Sequence, residues 1–406
     1  MTVIAFAAAR RRVPLAAGVC LLSFAAFWLA QRAAEVSMID LMVYRAEGET
    51  VRAGGDLYAL RTTEAHLPTT YPPFAALLFT PLTLLDTAAM RTLATVGNLL
   101  LLVAFAHLSL RLIAPHARVG AALWVAALAV WAEPVWTTLR YGQINLLLAV
   151  LVLWDLTRRP GGPGHRWAGV GIGLAAAIKL TPALFAVFLL LAGVAEAARN
   201  GHWRPPVRRA CVGVAAFAGA TALAAAVLPY DSRRFWTRMV FEAGRVGFPE
   251  DTANQSLRGV LARLLHTPEP GLWWAAGAAV AGAAGLGVAV AAALRGERDW
   301  AAVSCAATAL LVSPVSWSHH WVWCVPMALL LGREALRWGG RVRWTVAGAV
   351  GLVFCSYALW WVPHGAGRLE LAQEHGEMAL SALYALSAVT FLGAAALRPW
   401  RTNRSV

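Results

Sequence analysis

Residues 271–294 read GLWWAAGAAVAGAAGLGVAVAAAL, a run with no charged side chain. A membrane-spanning helix needs about 20 mostly apolar residues. The run is continuous rather than alternating, so it predicts a helix and not a barrel strand. Working outward, the segments 13–31, 91–113, 209–229, 343–362 and 378–397 approach or exceed the same length. The 406-residue chain is 59% hydrophobic and 14% charged. Soluble domains are roughly 45–50% apolar and about 25% charged. The reading is an all-α, polytopic membrane protein, one domain over 1–406, without internal repeats or a soluble module.

Net charge is +14, and the arginines gather in short loops between apolar runs. That is the positive-inside pattern, which excludes nucleic acid as the reason for the charge. Basic loops at 10–12, 158–166, 199–209, 295–298, 333–343 and 398–404 are assigned to the inside. The chain must leave and return between each pair. The outer loops are then 32–70, 140–145, 179–182, a long 230–269, 313–320 and 363–377. Arg10-Arg11-Arg12 precede an apolar run with no A-x-A site after it, which reads as an uncleaved first helix. Residues 168–195 become a hairpin of two short helices that turns at Lys179-Leu180-Thr181-Pro182. Three apolar stretches, 73–85, 91–113 and 119–133, lie where orientation demands an even number of crossings, so one of them does not span. Within the first outer loop, Asp40 to Tyr58 is suited to a short interfacial helix.

The outer loops hold the informative polar residues. Asp40 sits among apolar neighbours, where desolvation raises a carboxyl pKa and suits a general base; the alternative is a helix N-cap. Tyr71-Pro72-Pro73-Phe74 marks a rigid helix start, and Gly54-Gly55-Asp56-Leu57-Tyr58 a turn. Gln143 and Asn145 place two amides at the outer end of a helix, to bind hydroxyls or, for Asn145, to cap. Lys179 is the single lysine of the chain and lies at an apolar turn. A cation there is a candidate phosphate ligand, with snorkelling as the alternative. Arg258 and Arg245 run against the positive-inside trend and suggest an anionic ligand. Ser313 to Trp321 combines a proline turn, Trp317, Trp321 and the pair His319-His320, which suits sugar stacking and phosphate donation. Adjacent histidines on a helix diverge by about 100°, and neither they nor the five cysteines show metal-ligand spacing. Asp40, Gln143, Lys179, Arg258 and the pair His319 and His320 come from separate segments, yet all fall on the outer side.

In this order, Asp40-Leu-x-Val-Tyr, Gly55-Asp56-Leu57-Tyr58, Tyr71-Pro72-Pro73-Phe74, Gly142-Gln143-x-Asn145, Lys179-Leu180-Thr181-Pro182, Asn254-Gln255-Ser256-Leu257 and Ser316-Trp317-x-His319-His320 resemble glycosyltransferase family 87. The resemblance runs from Asp40 to His320. It implies a GT-C fold with about 11–13 transmembrane or re-entrant helices in the cell membrane, and a site on the periplasmic face. It implies a polyprenyl-phosphate-mannose donor and a glycolipid or mannan acceptor among membrane lipids. Asp40 takes the place of the family's general base, and one of His319 and His320 lies near the donor. Tyr71, Gln143, Asn145, Lys179 and Arg258 complete the candidate donor site. No nucleotide cofactor is implied, because the lipid carries the activated sugar; dependence on a divalent metal stays open. The competing classes are a transporter or flippase of a lipid-linked sugar, and a GT-C enzyme using another sugar.

Overall fold

The computed structural model describes residues 3–117, 120–158, 161–162, 164–201 and 205–399. Arg159, Arg204, Arg401 and Arg404 lie outside the described residues, as do the side chains of Arg10 to Arg12. The helices are α1 Val3–Ala33, α2 Ile39–Ala53, α3 Pro73–Phe79, α4 Thr87–Ile113, α5 Ala121–Ala129 and α6 Glu133–Tyr141. Next come α7 Asn145–Leu156, α8 Val170–Ile178, α9 Ala183–Asn200, α10 Pro205–Val227, α11 Pro229–Thr237 and α12 Leu257–Leu264. The last are α13 Gly271–Leu294, α14 Arg298–Val312, α15 Cys324–Trp338, α16 Arg341–Cys355, α17 His375–Ser381 and α18 Leu383–Ala396. A two-residue antiparallel ladder, β1 Arg61–Thr62 with β2 Leu67–Pro68, lies between α2 and α3.

Among the described residues four helices are long and apolar enough to cross a membrane: the Val13–Ala33 part of α1, then α4, α10 and α13. Two helix pairs reach the same length only when taken together across a bend, α5 with α6 at 77° and α17 with α18 at 70°, as a broken span or a re-entrant hairpin would. The first bend falls just before Glu133-Pro134. Proline is tolerated in the first turn of a new helix but would break an older one. α3 and the 3-10 turn after it end at Leu84; the 73–84 stretch rises about 18 Å, against about 30 Å of hydrocarbon. By length, α4 and the bent pair taken as one broken span match the even number of crossings that the loop charges demand. The run 343–362 is interrupted earlier than its hydropathy suggests, because α16 ends at Cys355 and Tyr357 takes a left-handed conformation.

One hydrophobic cluster extends from Cys20 in α1 to Ala395 in α18. Small residues set the approach of α8 to α10. A Cβ on Gly173 would lie 2.2 Å from the Gly213 carbonyl oxygen, so only glycine permits this spacing. The predicted hairpin forms as α8 and α9, and their turn carries Lys179. A helix does form within Asp40 to Tyr58, as α2, and it is ended by Gly54 in the left-handed region.

Candidate active site

Asp40 lies in the first turn of α2, but it is not the N-cap. Met38 precedes the helix in a left-handed conformation and offers no side-chain cap. The half-buried Asp40 faces a cavity of about 410 Å³ whose lining includes Tyr71, Tyr141, Gln143, Lys179, Arg245, Trp317, His319 and His320. Six segments distant in sequence therefore meet here.

Gln143 organises the acidic side of the cavity. Tyr44 and Tyr71 both donate their hydroxyls to its Oε1, at 2.8 and 3.1 Å, and the two phenol oxygens lie 2.9 Å apart. With the carbonyl end taken by phenols, the amide NH₂ is left to the Asp40 side, where it favours the ionised carboxylate. Burial pushes the Asp40 carboxyl up to about 6, while the Gln143 hydrogen bond and the charge of Lys179 hold it from rising further. The result is a base that is ionised near neutrality yet basic enough to take a proton.

The opposite side is built around Lys179. Its Nζ lies 2.8 Å from His320 Nε2, donates to Asn145 Oδ1 at 3.2 Å, and stands 5.5 Å from the centre of the Tyr71 ring. His320 Nδ1 accepts the Trp317 N–H at 3.2 Å. A neutral imidazole with an accepting Nδ1 carries its proton on Nε2. That proton points at Nζ, which can receive it only as a neutral amine. Burial, opposed by the Asp40 charge, brings Lys179 down to about 7, in keeping with this arrangement. His319 is buried, stacks edge-on to Tyr141, and leaves Nε2 without a hydrogen-bond partner among the described residues.

Asn145 stands behind the site rather than in it. Its Nδ2 donates to the His319 carbonyl at 2.9 Å, beside Thr138 Oγ1 at 2.7 Å. Ile144, not Asn145, is the N-cap of α7, so the capping reading does not hold; the Asn145 amide instead braces the His319 carbonyl and accepts from Lys179. Glu133 secures the same turn from below. Its carboxylate accepts from Thr137, Ser318, Trp360 and Tyr384 at 2.8–3.2 Å. Asn254-Gln255-Ser256 is likewise structural: Asn254 Oδ1 accepts the Ser316 N–H, Gln255 N–H donates to the Ser316 carbonyl, and Ser256 caps α12.

Arg258 is not brought to the cavity; its guanidinium lies over Trp274. Arg245 takes a place there instead, fixed by donating to the carbonyls of Thr69, Thr70 and Met239. A second carboxyl was missed by reading the sequence. Glu47 is fully buried on the Asp40 face of α2, with both oxygens unpartnered among the described residues. Desolvation raises it to about 8, so it holds its proton at neutrality. The spacing 40, 44, 47 was the available signal. No group of three His, Cys, Asp or Glu among the described residues could hold a metal ion.

A carboxylate set across a cavity from a lysine and imidazoles, at the ends of apolar helices, suits a membrane enzyme of acid–base and anion chemistry. Comparison with known proteins gives it a family. The profile of "Glycosyltransferase family 87" matches residues 70–314. A mycobacterial protein named "Polyprenol-phosphate-mannose-dependent alpha-(1-2)-phosphatidylinositol pentamannoside mannosyltransferase", from Mycobacterium tuberculosis (strain CDC 1551 / Oshkosh), is 34% identical over 80% of this chain and 75% of its own. The "Polyprenol-phosphate-mannose-dependent alpha-(1-2)-phosphatidylinositol mannoside mannosyltransferase" of Mycolicibacterium smegmatis is 34% identical over 84% of this chain and 78% of its own. The crystal structure of ArnT from Cupriavidus metallidurans bound to undecaprenyl phosphate superposes with a TM-score of 0.41 at 14% identity, covering 95% of this chain and 76% of that one. The chain belongs to glycosyltransferase family 87. Membership makes it a membrane glycosyltransferase and sets the transporter reading aside. Asp40, His319 and His320 lie outside the profile's matched range, so their assignment rests on the cavity and on the motif order.

Proposed function

We propose that the protein transfers mannose from polyprenyl-phosphate-mannose to a phosphatidylinositol mannoside or related glycolipid, forming an α-(1→2) linkage with inversion, on the extracytoplasmic face. The carrying observation is that Asp40 and the Lys179–His320 pair line one cavity. In the reaction an acceptor hydroxyl oxygen bonds to C1 of mannose as the C1–O bond to phosphate breaks. Asp40 takes the hydroxyl proton, and the polyprenyl phosphate departs against Lys179 and His320. Gln143 aims the Asp40 carboxylate, and Trp317, Tyr141 and His319 offer ring faces and a ring nitrogen to the sugars. Retention by double displacement would need a second carboxyl working as nucleophile or acid/base. Glu47 is protonated and lies behind the cavity wall, outside its lining. The relatives' printed donor and linkage support the choice of sugar and bond.

The test is purified protein in vesicles with radiolabelled polyprenyl-phosphate-mannose and phosphatidylinositol mannosides. The expected product is a longer glycolipid whose label is released by α-(1→2)-specific mannosidase. Absence of labelled glycolipid, or label resistant to that enzyme, overturns the reading.

A further inference from the structure

Arg258 is a cation without a role in the cavity. It stands in the first turn of α12, and its guanidinium carbon lies 5.6 Å over the ring of Trp274. Trp274 belongs to the first turn of α13, the span whose core-facing share is small. Its neighbours Leu272 and Trp273 are 88% and 71% exposed, an aromatic and aliphatic surface at a helix end of the kind that suits a membrane interface. Two hydrogen-bond donors meet there without an acceptor. Nη1 of Arg258 and Nε1 of Trp274 are both buried, and neither donates to protein among the described residues. Glu269 and Glu250 act on the guanidinium through space but form no ion pair with it, and Glu250 is engaged by Arg368. Buried donors without acceptors are costly, and a guanidinium beside an indole N–H matches the oxygens of a phosphodiester.

The position selects which phosphodiester. The donor's phosphate has its cation inside the cavity, at Lys179. Asp251 and Ala253 line that cavity, and the same stretch of chain continues into α12 and Arg258. A glycosylated phospholipid would leave its phosphate at the membrane and extend its outermost sugar past this loop to Asp40. We infer that Arg258 and Trp274 form a second anion site, which grips the phosphodiester of the lipid acceptor and sets how far its glycan reaches. This rests on the glycolipid-acceptor reading above.

The experiment compares two acceptors in neutral phosphatidylcholine vesicles: a phosphatidylinositol mannoside, and an alkyl mannoside with no phosphate. Arg258→Gln should raise KM for the phospholipid acceptor about tenfold or more, a charge-assisted bidentate contact being lost. KM for the donor and for the alkyl mannoside should stay as in the wild type. Arg258→Lys should recover part of the loss, and Trp274→Phe should reproduce a smaller one. Equal effects on both acceptors, or no effect, would overturn the inference. So would a dependence of wild-type melting on added phosphatidylglycerol that Arg258→Gln removes while acceptor KM is unmoved, since the site would then hold bulk anionic lipid. A wild-type protein that transfers mannose to neither acceptor would instead overturn the function itself.

Discussion

Lys179 Nζ and His320 Nε2 lie 2.8 Å apart, with the imidazole's other nitrogen engaged by the Trp317 N–H. In this geometry a neutral amine accepts from a neutral ring, and burial brings Lys179 down to about 7, so it changes charge around neutrality. Asp40, Tyr71, His319, and more distantly Glu242, Arg245 and Asp251 share its cavity. An anionic phosphate arriving beside Nζ favours the ammonium form, so donor binding is coupled to proton uptake.

A bell-shaped pH profile follows. Asp40 must be ionised, so kcat/KM falls as pH drops below about 6. Lys179 must be cationic when the donor binds, so kcat/KM falls again as pH rises above about 7. Lys179→Arg keeps a charge that does not titrate and should remove the alkaline limb while leaving the acidic one. An alkaline limb that persists in Lys179→Arg would show that another group sets it.

Gln143→Glu tests the orientation of the base. A second carboxylate in place of the amide NH₂ repels the Asp40 charge and deprives it of a donor. The acidic limb should move to higher pH, and kcat should fall roughly ten- to a hundredfold. Gln143→Leu should lower kcat without the same shift produced by a like charge. An unchanged acidic limb in Gln143→Glu would separate Gln143 from Asp40.

Glu133 is a positional anchor for the histidine turn. Glu133→Ala strands the donors of Thr137, Ser318, Trp360 and Tyr384, at a cost of about 3 kcal/mol or more. The detergent-solubilised protein should melt at a lower temperature. Glu133→Gln keeps an acceptor oxygen and should lose less. Equal melting of the wild type and Glu133→Ala would contradict the anchoring role.

Gly173→Val should separate α8 from α10, because its Cβ has no room against the Gly213 carbonyl. Lys179 sits directly after α8, so KM for the donor should rise along with the loss of stability. A control substitution at Gly219, where a Cβ meets nothing within 4 Å, should leave both unchanged.

Much of this was legible in the sequence because membrane segments announce themselves by length and charge. The run 271–294 became α13 with the same bounds, and the hairpin about Lys179 formed as read. Loop arginines separate the two sides of a membrane, but they carry no lateral information. Arg258 and Lys179 therefore looked alike, although one lies at the cavity and the other over Trp274. Asn145 was ambiguous for a related reason: an amide at a helix start can cap, bind ligand or brace a neighbouring turn, and only the position of the His319 carbonyl decides. Glu47 was hidden because a carboxylate in an amphipathic helix reads as solvated until the packing around that helix is known. The bend before Glu133 followed from a proline that hydropathy counts as merely interrupting.

The most direct test of the central claim is transfer from radiolabelled polyprenyl-phosphate-mannose by Asp40→Asn beside the wild type, with folding checked by melting temperature. Asparagine keeps the size of the side chain and its contact with Gln143 but cannot take the acceptor's proton. The account predicts transfer reduced about a thousandfold, with donor binding and melting close to those of the wild type. Full transfer by Asp40→Asn would contradict it.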